Sequence, residues 1–154
     1  MSQINWKDKC FVTTVYLVND SLEVLLSWNK NMQTWIPVGG HLEVGDTPEE
    51  AIVREVKEET GFDFEFIPSE TFENNGNVKV LSLHRIQIDN VPHHNKHINF
   101  VFIGKLKNYD KKVTETDEQE KLKWFSEEDL KNDPIMFESV RKVALEAIEK
   151  VRNS

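Results

Sequence analysis

Apolar and polar positions along the chain fall into two periods, and the period names the element. Cys10 to Asn19 contains the run F-V-T-T-V-Y-L-V, and Leu22 to Trp28 repeats its character after the turn-like Asn19-Asp20-Ser21. β-Branched and aromatic side chains fit a pleated, half-buried surface, so the two runs predict a hairpin. Trp35-Ile36-Pro37-Val38 reads as a short strand feeding a glycine loop at 39, 40 and 45. Pro37 lacks an N–H, which suggests a sheet edge or a strand end. Short extended pieces are expected at Asp63 to Phe66 and Glu70 to Glu73, then a turn at Glu73 to Asn77. Val78 to Ile88 and His97 to Leu106 alternate as long strands, predicting an antiparallel ribbon joined by Asp89 to Lys96. Leu122 to Phe125 is a last short strand.

The helical period appears three times. Pro48 to Thr60 opens on Thr47-x-x-Glu50, a capping box with proline at the first helical position, and closes on Gly61. Ser126 starts a short helix to Asn132, and Asp133-Pro134 starts another. In that last one Met136, Val140, Val143, Ala144, Ala147, Ile148 and Val151 recur at helical spacing and form a core stripe. Strands, a glycine loop, one acidic helix, more strands and a terminal helix imply an α/β fold, a mixed sheet between helices.

The helix at 48–60 carries Glu55, Glu58 and Glu59 at i, i+3 and i+4. At about 100° per residue they share one face. They also occupy the last turns, where the helix dipole favours cations and like charges repel. A solvated acidic face is the plain reading of such a helix. Here the arc borders the apolar side made by Ile52, Val53 and Val56, with small Ala51 beside it, so the acids are placed at a cleft edge. A hard divalent cation would relieve the repulsion, since magnesium prefers oxygen ligands and bridges to substrate phosphates.

Composition narrows the setting. A chain of 154 residues suits one domain, 1–154, with a core that needs no staple. Twenty-seven acidic against 19 basic side chains give a net charge of −8, which argues against a nucleic-acid polymer or an anionic membrane as partner. Cys10 is the one cysteine, the first residues hold no apolar signal core, and no apolar run reaches spanning length, so a cytoplasmic protein is expected. Edge strands leave monomer and homodimer both open.

The stretch from Gly40 to Phe62 resembles the box of the Nudix hydrolase family. That box is Gly, five residues, Glu, seven residues, Arg-Glu, an aliphatic, any residue, Glu-Glu, any residue, Gly and an aliphatic. This chain supplies Gly40, Asp46, Arg54-Glu55-Val56, Glu58-Glu59 and Gly61-Phe62 at that spacing. Asp46 replaces the usual Glu, and Phe62 the usual aliphatic. The resemblance implies an α/β/α sandwich and hydrolysis of a pyrophosphate bond in a nucleoside diphosphate linked to another group. It implies Mg²⁺, with Mn²⁺ as a substitute, held by Glu55, Glu58, Glu59 and the backbone carbonyl of Gly39. One further glutamate is expected from the loop before the final strand, Glu118 first and Glu120 second. Glu58, Glu59 or Glu118 is the expected base for the attacking water. Arg54 is expected to orient the glutamates by pairing with Asp46, more loosely than with a Glu because Asp is one methylene shorter.

The expected substrate is a small-molecule nucleotide, with a nucleoside triphosphate preferred. A nucleotide-sugar or ADP-ribose type pyrophosphatase is the alternative, as is a non-catalytic nucleotide sensor that kept the fold. Two side features remain. Trp28 and Trp35 either stack on a nucleobase or pack in the core, and packing is the commoner use of tryptophans near strand ends. His93, His94 and His97 have three imidazoles within five positions, but no cysteine accompanies them along the chain, which favours a plain polar loop over a zinc site.

Overall fold

The computed structural model describes residues 10–67, 78, 80–91, 96–107 and 122–154. Seven strands and three helices follow in the order β1 (Cys10–Val18), β2 (Val24–Asn29), β3 (Thr34–His41), α1 (Pro48–Thr60), β4 (Phe64–Ile67), β5 (Arg85–Asp89), β6 (His97–Leu106), β7 (Leu122–Phe125), α2 (Glu127–Asn132) and α3 (Glu138–Arg152). The strands form one mixed sheet in the order β4-β6-β1-β3-β2-β7, with β5 also on β6. β1 and β6 run parallel from Cys10↔His97 to Val18↔Lys105, and every other pairing is antiparallel.

Side chains alternate across a strand, and β1 shows how the sheet is covered on both sides. Val15 and Leu17 pack with Val38, Phe102, Ile52 and Val56 under α1. Tyr16 and Val18 pack with Ile103, Val143, Ala144, Ala147 and Ile148 under α3. This is the expected α/β sandwich, with α1 on one face and α3 on the other. Fully burying one aliphatic side chain of this kind contributes roughly 1.5–3 kcal/mol, so the two layers lock α1 and α3 to opposite faces.

Four sequence expectations are corrected. The glycine loop does not begin at Gly39: both Gly39 and Gly40 lie inside β3, opposite Thr14 and Thr13 of β1, and only Gly45 of the three has a positive φ, 89°. Pro37 is within a central strand, yet at a joint. The β1–β3 pairing stops at Val38 and the β2–β3 pairing starts at Pro37, so the missing N–H falls where the strand changes neighbours. The strand expected from Val78 is shorter, starting at Arg85, and Val78 and Val80 are exposed. α3 starts at Glu138 rather than at Asp133-Pro134, because the Asp133 carboxylate accepts from the N–H groups of Ile135 and Met136 and holds a turn there. The pieces at 70–73 and 73–77 lie outside the described residues.

Candidate metal and hydrolytic site

α1 begins where the local chemistry directs. Thr47 Oγ1 accepts the Glu50 N–H at 3.2 Å, the Glu50 carboxylate accepts the Thr47 N–H at 3.4 Å, and Gly61 ends the helix at φ 74°. Ala51, Ile52 and Val56 fix the buried face, whereas Val53 is exposed and takes no part in it. Two tethers set the height of the first turn on the sheet. Thr13 Oγ1 donates to the Pro48 carbonyl at 3.3 Å, and the buried Glu49 carboxylate accepts the Ser82 N–H at 2.9 Å. Sequence reading missed Glu49, whose burial nothing local announces.

With that face anchored, Glu55 points at β3. A Cβ on Gly40 would lie 2.6 Å from the Glu55 carboxyl carbon and Oε1, so only glycine leaves room for the carboxylate against the strand. A Cβ on Gly39 would fall on the Thr13 carbonyl oxygen. Both glycines are needed for close approach, with no positive φ demanded of them.

Arg54 is the cation of the cluster. Its Nη1 donates to the Asp46 carboxylate at 2.5 Å, Nη2 lies 3.5 Å from Glu55, and Nε lies 4.0 Å from Glu58. The expected loosening of the Asp46 pair is therefore corrected: contact is direct. The loop supplies the missing reach, since Asp46 also accepts the Glu43 N–H at 2.9 Å and donates its own N–H to the Glu43 carbonyl at 3.0 Å, with Gly45 completing the bend. The arginine hydrogen bond holds the Asp46 carboxyl below its ordinary range, and the same bond holds the Arg54 guanidinium above its own.

Arg54 lies within 4.0 Å of Glu43, Asp46, Glu55 and Glu58. The excess of acid falls on Glu59, whose pKa is pushed up to about 8 by burial first, then by the Glu55 charge and hydrogen bond and by the Glu58 charge. Carboxylate oxygens gathered on one helix beside a glycine strand, with Arg54 as their cation among the described residues, are a donor set suited to a hard divalent ion. Glu118 and Glu120 lie outside the described residues, as do His93 and His94.

The aromatics sort themselves by face. Trp35 packs edge-on against Trp28 at 5.2 Å and Phe125 at 5.3 Å, on the α3 side, so packing is its use. Trp124 stands on the α1 side, partly buried, with its ring 6.2 Å from that of Phe62. Among the described residues, no helix is long and apolar enough to cross a membrane.

Comparison with known proteins agrees with this fold. The family model described as NUDIX domain matches residues 10–146. A hydrolase of the NUDIX family from Clostridium perfringens has a crystal structure that superposes with a TM-score of 0.80 at 29% identity, covering 92% of this chain and 97% of that one. Ap4A hydrolase from C. elegans superposes at 0.66 with 17% identity, over 93% and 98% of the two chains, a likeness of fold. A protein of Bacillus subtilis (strain 168) named "Putative 8-oxo-dGTP diphosphatase" is 42% identical over 48 residues, 31% of this chain. The match spans about a third of that relative, 32% of its length. With a family match over nearly the whole described sheet and both helical layers, this chain belongs to the Nudix hydrolase family.

Proposed function

We propose that this chain is a metal-dependent pyrophosphohydrolase that cleaves a nucleoside triphosphate by water attack on phosphorus. The observation that carries the reading is the acid cluster of α1, where Glu59 is held against the Glu55 and Glu58 carboxylates while Arg54, the neighbour of Glu55 and Glu58, is committed to Asp46. Glu55, Glu58, Glu59, the Gly39 carbonyl and Glu118 are the residues assigned to hold Mg²⁺, or Mn²⁺ in its place. When bound, such an ion neutralises the diphosphate and stabilises charge developing on its oxygens. The protein's own part is positioning and proton transfer. Arg54 keeps Glu55 and Glu58 aligned along α1, and Asp46 keeps Arg54 in place. Glu58, Glu59 or Glu118 accepts the proton of the attacking water.

The base is assigned to the apolar wall on the α1 side, where Leu83, Leu122 and Trp124 are partly buried. Trp124 offers the aromatic surface there, since base stacking on an aromatic is worth roughly 1–3 kcal/mol. The name of the Bacillus subtilis relative supports a nucleoside triphosphate as the substrate class. The direct Arg54–Asp46 contact supports the catalytic reading over the non-catalytic sensor, which the Asp46 change permits but does not require.

The test is phosphate and pyrophosphate release across a nucleotide panel, with and without Mg²⁺, for the parent protein, Glu58→Gln and Glu59→Gln. Turnover that requires Mg²⁺ and falls at least about a hundredfold in one variant, near 2.7 kcal/mol of transition-state stabilisation, is the expected result. Nucleotide binding without turnover would return the sensor reading, and preference for a nucleotide sugar or ADP-ribose would replace the triphosphate.

A further inference from the structure

Three strands that are distant in sequence bring Cys10, His41 and His97 together at one end of the sheet. Cys10 opens β1 and His97 opens β6, and the two are direct partners in the parallel pairing. His41 closes β3, opposite Val12, two residues along from Cys10. Because side chains repeat every second residue, all three project from the same face. It is the face opposite α1, since the intervening Gly40 is the residue that abuts Glu55. Cys10 Sγ and one nitrogen of each imidazole lie within 4.8 Å of one another. The His41 and His97 rings meet edge to face, 5.4 Å between centroids at 77°.

The chemistry of this set differs from that of α1. A thiol with two imidazoles is a soft to borderline donor set that selects zinc, cobalt, nickel or copper over magnesium. Zn–S and Zn–N bonds of about 2.3 and 2.0–2.1 Å in a tetrahedron place neighbouring donor atoms roughly 3.4–3.6 Å apart. The distance to be closed is about one ångström, within reach of side-chain rotation. Cys10 and His97 are half-buried and His41 is exposed, so an ion has a path in. Asp89 stands opposite His97 on β5, its carboxylate held by the Asn99 side-chain amide at 2.9 Å and the Gln87 side-chain amide at 2.7 Å. Along the chain no cysteine neighbours the histidines at 93–97, but the parallel β1–β6 pairing supplies one.

We propose that Cys10, His41 and His97 form a second metal site, separate from the carboxylate cluster, which binds one zinc-class transition ion with its fourth position open to solvent. Such an ion would tie the ends of β6, β1 and β3 together at the point where β3 presents Gly39 and Gly40 to α1.

The experiment uses the full chain, reduced and stripped with a chelator, then titrated with Co²⁺ alone. The expected result is a thiolate-to-cobalt charge-transfer band that saturates at one equivalent, is bleached by Zn²⁺ and is untouched by Mg²⁺. Cys10→Ser abolishes the band, and His41→Gln weakens Zn²⁺ at least about tenfold, while Glu58→Gln and Glu59→Gln leave both readouts unchanged. Circular dichroism establishes that each variant is folded, and the exposed His41 keeps the test decisive should Cys10→Ser fail to fold. Absence of the band in the parent protein overturns the proposal. So does a folded His41→Gln or Cys10→Ser variant that binds Zn²⁺ as tightly as the parent.

Discussion

Arg54 donates to the Asp46 carboxylate at 2.5 Å, and this contact fixes the guanidinium that stands among the acids of α1. It makes the shorter acid adequate, because the bend at Gly45 brings Asp46 forward. Asp46→Asn therefore lowers kcat/KM by about 10- to 100-fold, the usual effect of removing a partner that orients a metal ligand. Asp46→Glu stays within a few fold of the parent, on the same order-of-magnitude scale. Steady-state kinetics of the two variants decide it. Equal losses in both would mean that side-chain length, not charge, is what the loop selects.

Gly39 and Gly40 separate two kinds of close approach. At Gly40 the obstacle to a Cβ is the end of the flexible Glu55 side chain, so Gly40→Ala folds but pushes that carboxylate aside. Mg²⁺ affinity is expected to fall at least about tenfold. At Gly39 the obstacle is backbone, the Thr13 carbonyl in the β1–β3 pairing, so Gly39→Ala loses stability instead. Isothermal titration and thermal melts on both variants test the split. An unchanged Mg²⁺ affinity in Gly40→Ala would remove Glu55 from the ligand set.

The boundaries of α1 depend on residues within one turn of each end. Thr47→Ala removes the cap from the Glu50 N–H and is expected to cost about 1 kcal/mol. Gly61→Ala forces a side chain into φ 74° and is expected to cost about 1–2 kcal/mol. Urea midpoints measure both. A neutral result at Gly61 would show that the helix end relaxes to another geometry.

That local control explains what could be read from the sequence. α1 runs over the expected residues because its start and stop signals are its own neighbours, and β6 runs from His97 to Leu106 as its alternation predicts. Gly39 and Gly40 read as a loop in the sequence because the cause of their presence, Thr13 on one side and Glu55 on the other, is tertiary. The parallel β1–β6 pairing joins segments nearly ninety positions apart, and no local pattern announces it. Of the candidate site, helical spacing puts Glu55, Glu58 and Glu59 on one face, while Arg54 enters only through the family resemblance. Glu49 and Trp124 were not legible, since their places follow from where Ser82 and Phe62 fall in the fold.

Glu59 makes pH a probe of the site. An unfolded chain ionises this carboxyl near its ordinary value of 4.5, while the folded chain without metal keeps the proton to about 8. Between those values the folded state binds more protons than the unfolded state, so its stability falls as pH rises. Glu59→Gln has no proton to lose, and its melting temperature in chelator is expected to vary less than that of the parent across pH 4.5–8. A divalent ion requires the ionised carboxylate, so Mg²⁺ binding releases the proton and tightens as pH rises towards 8. The parent is therefore expected to gain more stability from Mg²⁺ at the alkaline end of this window than at the acid end, and Glu59→Gln to lose that difference. Thermal melts in chelator and in Mg²⁺, run across the window for both proteins, give the answer. Superimposable pH profiles would mean that Glu59 is already ionised without metal, and that the charge excess of α1 is carried by Glu58 instead.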